Sequence, residues 1–114
     1  MKSYAQALDL VDDSAAISAY DEYHRAVWPE VLAALRGIGI ERMEIFRTGT
    51  RLFMYFSAPD SFDPLCDFQT YTDSPRCADW DQLMRQYQLR IPKASEGEWW
   101  TPMERVFDTE WPES

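Results

Sequence analysis

The run Ile40-Glu41-Arg42-Met43-Glu44-Ile45-Phe46-Arg47-Thr48-Gly49-Thr50-Arg51-Leu52-Phe53-Met54-Tyr55-Phe56 decides the fold class. Its first half alternates, with Ile40, Arg42, Glu44 and Phe46 on one face and Glu41, Met43, Ile45 and Arg47 on the other, which is the period of a strand. Thr48-Gly49-Thr50 is a short glycine-containing turn, and the aromatic-rich Leu52 to Phe56 follows it, so the whole reads as a β-hairpin. Large apolar groups stand on both faces of Leu52 to Phe56. Such a strand is expected in a sheet covered by helices on one side and by a second copy of the chain on the other.

Upstream of the hairpin, Tyr4, Gln6, Leu8 and Leu10 alternate with Ala5, Ala7 and Asp9 as a further strand. Val11-Asp12-Asp13-Ser14 then offers side-chain oxygens to cap a helix expected over residues 14–37, where Ile17, Tyr20, His24, Val27 and Trp28 recur at spacings of three and four. Pro29 lies inside that span. Its missing N–H and its ring are expected to bend or split the helix near Val27-Trp28, and Gly37 and Gly39 end it. Downstream, Pro59-Asp60-Ser61 breaks the second hairpin strand and residues 62–72 read as a helix. Cys77, Trp80, Leu83, Met84 and Tyr87 predict an amphipathic helix over residues 75–90. Pro92, Gly97 and Pro102 mark residues 91–102 as a loop carrying Trp99 and Trp100, and Met103 to Phe107 reads as a final strand. The order strand, helix, strand, strand, one or two helices, strand is the split β-α-β unit of a ferredoxin-like α+β fold, with helices on one face of an antiparallel sheet.

A chain of 114 residues is expected to form one domain over residues 1–114, and 46% hydrophobic with 15% aromatic residues excludes disorder as a description of it. Eleven Lys and Arg against twenty Asp and Glu leave a net charge of −9 at pH 7. That field repels phosphate backbones and anionic lipid, so neither nucleic acid nor membrane is expected as a partner. No apolar run approaches the roughly 18–20 residues that span a bilayer. Met1-Lys2-Ser3-Tyr4 passes straight into alternating sequence without a signal-peptide core, and a cytoplasmic protein is expected. Cys66 and Cys77 are then expected to be free thiols. With His24 as the chain's one histidine, no structural zinc site is expected.

The segment richest in chemistry is Tyr20-Asp21-Glu22-Tyr23-His24-Arg25-Ala26-Val27-Trp28-Pro29-Glu30. On a helix Tyr20, His24 and Trp28 fall on one face, because residues four apart are neighbours. Two readings of this stripe stand. In one, the aromatics are core and His24 is a half-buried histidine bonded to them. In the other, the stripe is a ligand site: histidine gives and takes protons near neutrality, and aromatic rings suit the apolar face of a pyranose. Cys77-Ala78-Asp79-Trp80-Asp81 offers an edge tryptophan followed by a carboxylate able to accept from hydroxyls, or else a helix with one buried tryptophan and solvated acids. Gly97-Glu98-Trp99-Trp100 puts two adjacent tryptophans on a loop, one of which could cover a pocket or a partner chain. Phosphate-cradling glycine loops, serine elbows and paired-cysteine motifs do not occur, which leaves nucleotide cofactors and covalent serine or cysteine catalysis without support.

Tyr20-x-x-x-His24-x-x-x-Trp28-Pro29-Glu30, Met43-Glu44-Ile45, Arg51-Leu52-Phe53, Trp80 with Leu83-Met84, and Gly97-Glu98-Trp99 before Met103-Glu104-Arg105-Val106-Phe107 together resemble the L-rhamnose mutarotase family, which includes proteins thought to act on L-fucose. The resemblance spans roughly residues 4–107. It implies a dimeric α+β barrel built from ferredoxin-like protomers and an isomerase that interconverts the α and β anomers of a 6-deoxy-L-hexose, a small monosaccharide, with neither metal nor cofactor. It further implies His24 as the proton-transferring catalytic residue and Tyr20, Met43, Trp80 and Asp81 as substrate contacts. The rhamnose branch has a tyrosine where this chain has Met43 and a second tryptophan where it has Asp81. Both changes alter the pocket wall, and L-fucose is the substrate expected ahead of L-rhamnose. The second acid or base beside His24 stays open among Glu44, Asp81 and Tyr20, with Glu44 ranked below Asp81 because strand parity sets it opposite Met43. The rival reading is a non-catalytic small-ligand-binding module of the same barrel type. A haem- or quinone-processing monooxygenase on this fold is a third.

Overall fold

The computed structural model describes residues 1–111, and residues 112–114 of the expected domain lie outside the described residues. The elements follow in the order β1 (Lys2–Leu10), α1 (Ser14–Arg25), α2 (Pro29–Gly37), β2 (Arg42–Thr48), β3 (Arg51–Ala58), α3 (Pro64–Thr72), α4 (Pro75–Arg85), β4 (Gln88–Leu89) and β5 (Thr101–Pro102). The sheet order is β2-β3-β1-β4, with β5 also paired to β1, and every pairing is antiparallel. β1 and β2 therefore run the same way with β3 inserted between them, which is the split β-α-β arrangement.

Local chemistry sets the boundaries. The hairpin register joins Thr48 to Arg51, and Gly49 takes φ +56° in the tight connection, a region that glycine enters without penalty. Asp13 caps α1 by accepting from the Ala16 N–H at 2.9 Å. Pro29 splits the helix: α1 stops at Arg25, and Pro29 opens α2 at its first turn, where a missing N–H costs nothing. α3 and α4 also begin on prolines, Pro64 and Pro75. Asp63 caps α3 through the Leu65 N–H at 3.1 Å.

Two expectations are corrected. The helix expected over residues 75–90 ends at Arg85, because Gln88 and Leu89 leave it to pair with Leu10 and Asp9 on the edge of β1. The strand expected at Met103 to Phe107 is absent; only Thr101–Pro102 joins the sheet. Pro102 faces Gln6 at a non-hydrogen-bonded position of the antiparallel ladder, where its missing N–H removes no bond, and the pairing runs one residue further, to the Met103 N–H donating to the Ala5 carbonyl at 2.8 Å, before β1 runs out at its N-terminal end. Val106 and Phe107 then stand exposed.

The alternation of the strands sorts their side chains onto two faces. Leu8, Leu10, Leu52, Met54 and Phe56 are buried beneath the helices, and Tyr20, Val31, Tyr71, Cys77, Trp80 and Met84 pack there with Leu8, Leu10 and Leu52. Leu8 and Phe56 have no exposed surface. Truncating Leu8 to alanine is expected to cost about 2–5 kcal/mol, the usual cost of a core cavity. On the opposite face Phe46 is 55% and Phe53 36% exposed, their rings 6.0 Å apart. Cys66 is exposed and Cys77 buried, both as free thiols. Among the described residues no helix is long and apolar enough to cross a membrane.

Candidate active site

Between the helices and the inner face of the sheet lies a cavity of about 590 Å³, a volume typical of small-molecule sites. Tyr20 and His24 enter it from α1, Met43 from β2, Tyr71 from α3, Trp80 and Asp81 from α4, and Gln88 from β4. Helix α1 is held over the strand that carries Met43 by a two-pronged pair: Arg47 Nε and Nη2 donate to Asp21 at 3.1 and 2.7 Å. That contact keeps the Asp21 carboxyl below the usual carboxylate range. All five residues singled out from the sequence, Tyr20, His24, Met43, Trp80 and Asp81, line this one cavity.

The state of His24 follows from its bonds. Nδ1 lies 2.9 Å from the Tyr20 carbonyl, which can only accept, so Nδ1 carries the hydrogen and Nε2 keeps the lone pair in the neutral ring. Burial is the largest influence on its basicity and lowers its pKa below 6.5, against opposing pulls from the Tyr20 carbonyl and Asp21. Neutral imidazole therefore dominates at pH 7, poised as a proton acceptor. Its ring is packed by Tyr20 at 4.3 Å and edge-on by Trp80 at 5.5 Å.

The other polar groups are paired. The Tyr71 hydroxyl donates to Asp81 Oδ1 at 3.2 Å. Burial raises the Asp81 pKa above the carboxylate norm, opposed by the Tyr71 bond and by Arg85. Burial, followed by the Asp81 charge, pushes the Tyr71 phenol up as well. On the far wall Trp99 Nε1 donates to Gln88 Oε1 at 2.7 Å, and Gln88 Nε2 donates to the Tyr20 hydroxyl at 3.2 Å. Tyr20 is pushed up to about 12, chiefly by burial, with the Gln88 bond pulling down and Asp21 adding to the rise. One wall thus offers a proton acceptor and a phenol, the other a carboxyl group, and aromatic rings close the space between them.

Several placements depart from the sequence reading. Trp28 does not continue the Tyr20–His24 stripe: the helix breaks before it, and it packs edge-on behind Trp80 at 5.2 Å with the Arg76 guanidinium 4.0 Å over its ring. Trp80 is buried rather than set at an exposed edge. Trp99 and Trp100 both line the cavity, where one had been expected to cover a pocket. Glu44 alternates with Met43 on β2, and its carboxylate meets Arg42 at 3.3 Å, off the cavity wall. Tyr71 and Gln88 were missed. Tyr71 shares a spacing of three with Phe68, a usable signal, whereas Gln88 was hidden inside a helix that ends before it. Among the described residues no group of three or more His, Cys, Asp or Glu side chains gathers as a metal site.

Comparison with known proteins places this geometry. The family model described as L-rhamnose mutarotase matches residues 3–109. A UPF0734 protein of Dictyostelium discoideum is 53% identical over 114 residues, covering 96% of this chain and 91% of that protein. An L-fucose mutarotase of Xanthomonas campestris pv. campestris is 38% identical over 109 residues, covering 94% of this chain and 87% of the relative. Among solved structures, an L-rhamnose mutarotase from Formosa agariphila superposes with a TM-score of 0.71 at 21% identity, covering 96% of this chain and all of that one. Tetracenomycin F2 cyclase from Streptomyces glaucescens, a type-II polyketide cyclase, follows at 0.63 and 16% identity, covering 95% of this chain and 96% of that one. The two structures share the α+β barrel fold with this protomer. With the family model spanning nearly the whole sequence and a mutarotase relative aligned along most of it, the chain belongs to the L-rhamnose mutarotase family and is an isomerase, a sugar mutarotase.

Proposed function

We propose that the protein interconverts the α and β anomers of a 6-deoxy-L-hexose, with L-fucose favoured over L-rhamnose, and that His24 carries the proton. The observation behind this is the locked tautomer of His24: Nδ1 is committed to the Tyr20 carbonyl, and the ring lines an aromatic cavity in its neutral form. Nε2 takes the proton of the anomeric hydroxyl, the bond from C1 to the ring oxygen breaks as the carbonyl forms, and the imidazolium returns the proton to the ring oxygen. Rotation about the bond between C1 and C2 followed by the reverse sequence closes the ring on the other carbonyl face. No net proton, electron or atom is exchanged with solvent, so His24 can serve as base and then as acid within one cycle.

Tyr20, Met43, Trp80 and Asp81 are the substrate contacts in this reading. Trp80 supplies an apolar face, Met43 an adaptable wall, and Asp81 an acceptor for ring hydroxyls. L-fucose and L-rhamnose share the 6-deoxy methyl and differ in hydroxyl orientation at C2 and C4. A carboxylate matched to hydroxyls separates such epimers better than apolar contact does. The protein works as one domain across residues 1–114 and as a homodimer joined through the sheet face that carries Phe46 and Phe53. The test is saturation-transfer NMR on equilibrated L-fucose, L-rhamnose and D-glucose, with wild type and Asp81→Trp. Faster exchange of L-fucose in the wild type, narrowed or reversed in the variant, is expected. Equal or rhamnose-favouring rates in the wild type would remove the preference.

A further inference from the structure

Tyr20 is buried and lines the cavity, and the direction of its hydroxyl proton depends on two residues that bond in sequence to it, Gln88 and Trp99. An indole N–H can only donate. Since Trp99 Nε1 lies 2.7 Å from the Gln88 amide, the atom facing it must be the amide oxygen. The amide nitrogen is then turned to Tyr20, 3.2 Å away, and an NH₂ group likewise only donates. The Tyr20 oxygen is consequently an acceptor from behind. Flipping the amide would bring two donors face to face at Trp99 and lose that bond, while the amide oxygen turned to Tyr20 would draw the phenol proton backwards; the Trp99 N–H disfavours that arrangement. The phenol's single hydrogen has no claim on it from Gln88 and is left for the cavity.

The parts that impose this polarity are themselves anchored. Gln88 sits in β4, paired to Leu10. The loop that brings Trp99 is closed by Arg90, whose Nε and Nη2 donate to the carbonyls of Glu98 and Ser95 at 2.7 and 2.6 Å. The Ser95 N–H adds a bond to Glu98 Oε1 at 2.9 Å. The Arg85 guanidinium lies 5.0 Å over the Trp99 ring. We infer that Gln88 and Trp99 are positioning residues that hold the Tyr20 hydroxyl as an obligatory hydrogen-bond donor to an oxygen of the bound sugar. This rests on the mutarotase reading of the cavity. A phenol pushed up to about 12 keeps its proton at every working pH, which suits a fixed donor and not a base.

Gln88→Glu tests the polarity directly, because the new carboxylate accepts from Trp99 and from Tyr20 together and draws the phenol proton out of the cavity. Turnover is expected to fall by about tenfold or more, as far as in Tyr20→Phe, in line with the loss of one buried hydrogen bond. Combining Tyr20→Phe with Gln88→Glu should cost nothing further. Trp99→Phe frees the amide to flip while keeping an aromatic ring, and should give a smaller loss that also vanishes on the Tyr20→Phe background. This second variant carries the test if the buried carboxylate prevents folding. In sugar-free protein labelled with ¹³C-tyrosine, the Tyr20 ζ-carbon resonance should move in both variants while the rest of the spectrum stays native. Losses that add to that of Tyr20→Phe, or an unmoved ζ-carbon resonance, would overturn the inference. The resonance is read without substrate, so its failure is distinguishable from failure of the mutarotase reading.

Discussion

The two faces of the sheet are built from the same strands and have opposite fates. On β3, Leu52, Met54 and Phe56 turn inward and are buried, and Met54 also borders the cavity. Phe53, between them, turns outward beside Phe46 and stays accessible. Period-two alternation thus assigns one set of residues to an aromatic cavity beneath the helices and the other to an open apolar surface. The inner face has its helices to exclude water, which is what lowers the pKa of His24 and raises that of Asp81. Among the described residues nothing covers Phe46 and Phe53 on the outer face in this way, and a second copy supplies the cover in the reading proposed above.

The difference can be broken most sharply on the inner side. His24→Ala should reduce anomeric exchange by about 10²–10⁴-fold, the usual worth of one general acid–base group. Thermal unfolding should stay close to that of wild type, and a variant of near-native activity would remove His24 as the proton carrier. On the outer side, Phe53→Glu should leave the cavity intact and convert the proposed dimer to a monomer near 13.4 kDa in sedimentation at micromolar concentration. A wild type that already sediments as a monomer would contradict the role given to that face. Asp81→Trp should lower the ratio of L-fucose to L-rhamnose exchange by about tenfold, the scale of one charge-assisted hydrogen bond.

Smaller shifts sharpen the electrostatics of the inner face. Because burial lowers the His24 pKa, the neutral base persists below pH 6.5, and the acid limb of the pH–rate profile should fall below that value. Asp21 works against burial by favouring the imidazolium. Asp21→Asn should therefore move the acid limb to still lower pH. A limb that moves to higher pH would show that Asp21 acts on His24 by some route other than its charge.

The legible parts of the molecule were those written in local period and punctuation. The hairpin, the alternation that separates Leu52 from Phe53, and the break at Pro29 each depend on neighbours within a few residues. The positions of Tyr20 and His24 one turn apart on α1 followed from the same helical period. The parts that escaped depend on remote backbone. Leu83, Met84 and Tyr87 continue a helical spacing, yet the free edge of β1 draws Gln88 and Leu89 into the sheet. Met103 to Phe107 carries strand-favouring Val106 and Phe107, but the pairing with β1 ends at the Met103–Ala5 bond, because β1 begins at Lys2 and offers almost no further backbone. Tyr71 meets Asp81 across two helices, a contact that no spacing within one helix reveals. Trp28 was misplaced because the stripe was extended through the very break that Pro29 announced.

The central claim is that the inner-face cavity opens and recloses a sugar hemiacetal. Saturation-transfer NMR on L-fucose already at anomeric equilibrium measures this without any coupled enzyme. Magnetisation transfer between the α and β H1 resonances is expected at a rate proportional to added protein, with the anomeric ratio unchanged. Transfer no faster than in buffer, for L-fucose and for L-rhamnose alike, would contradict it.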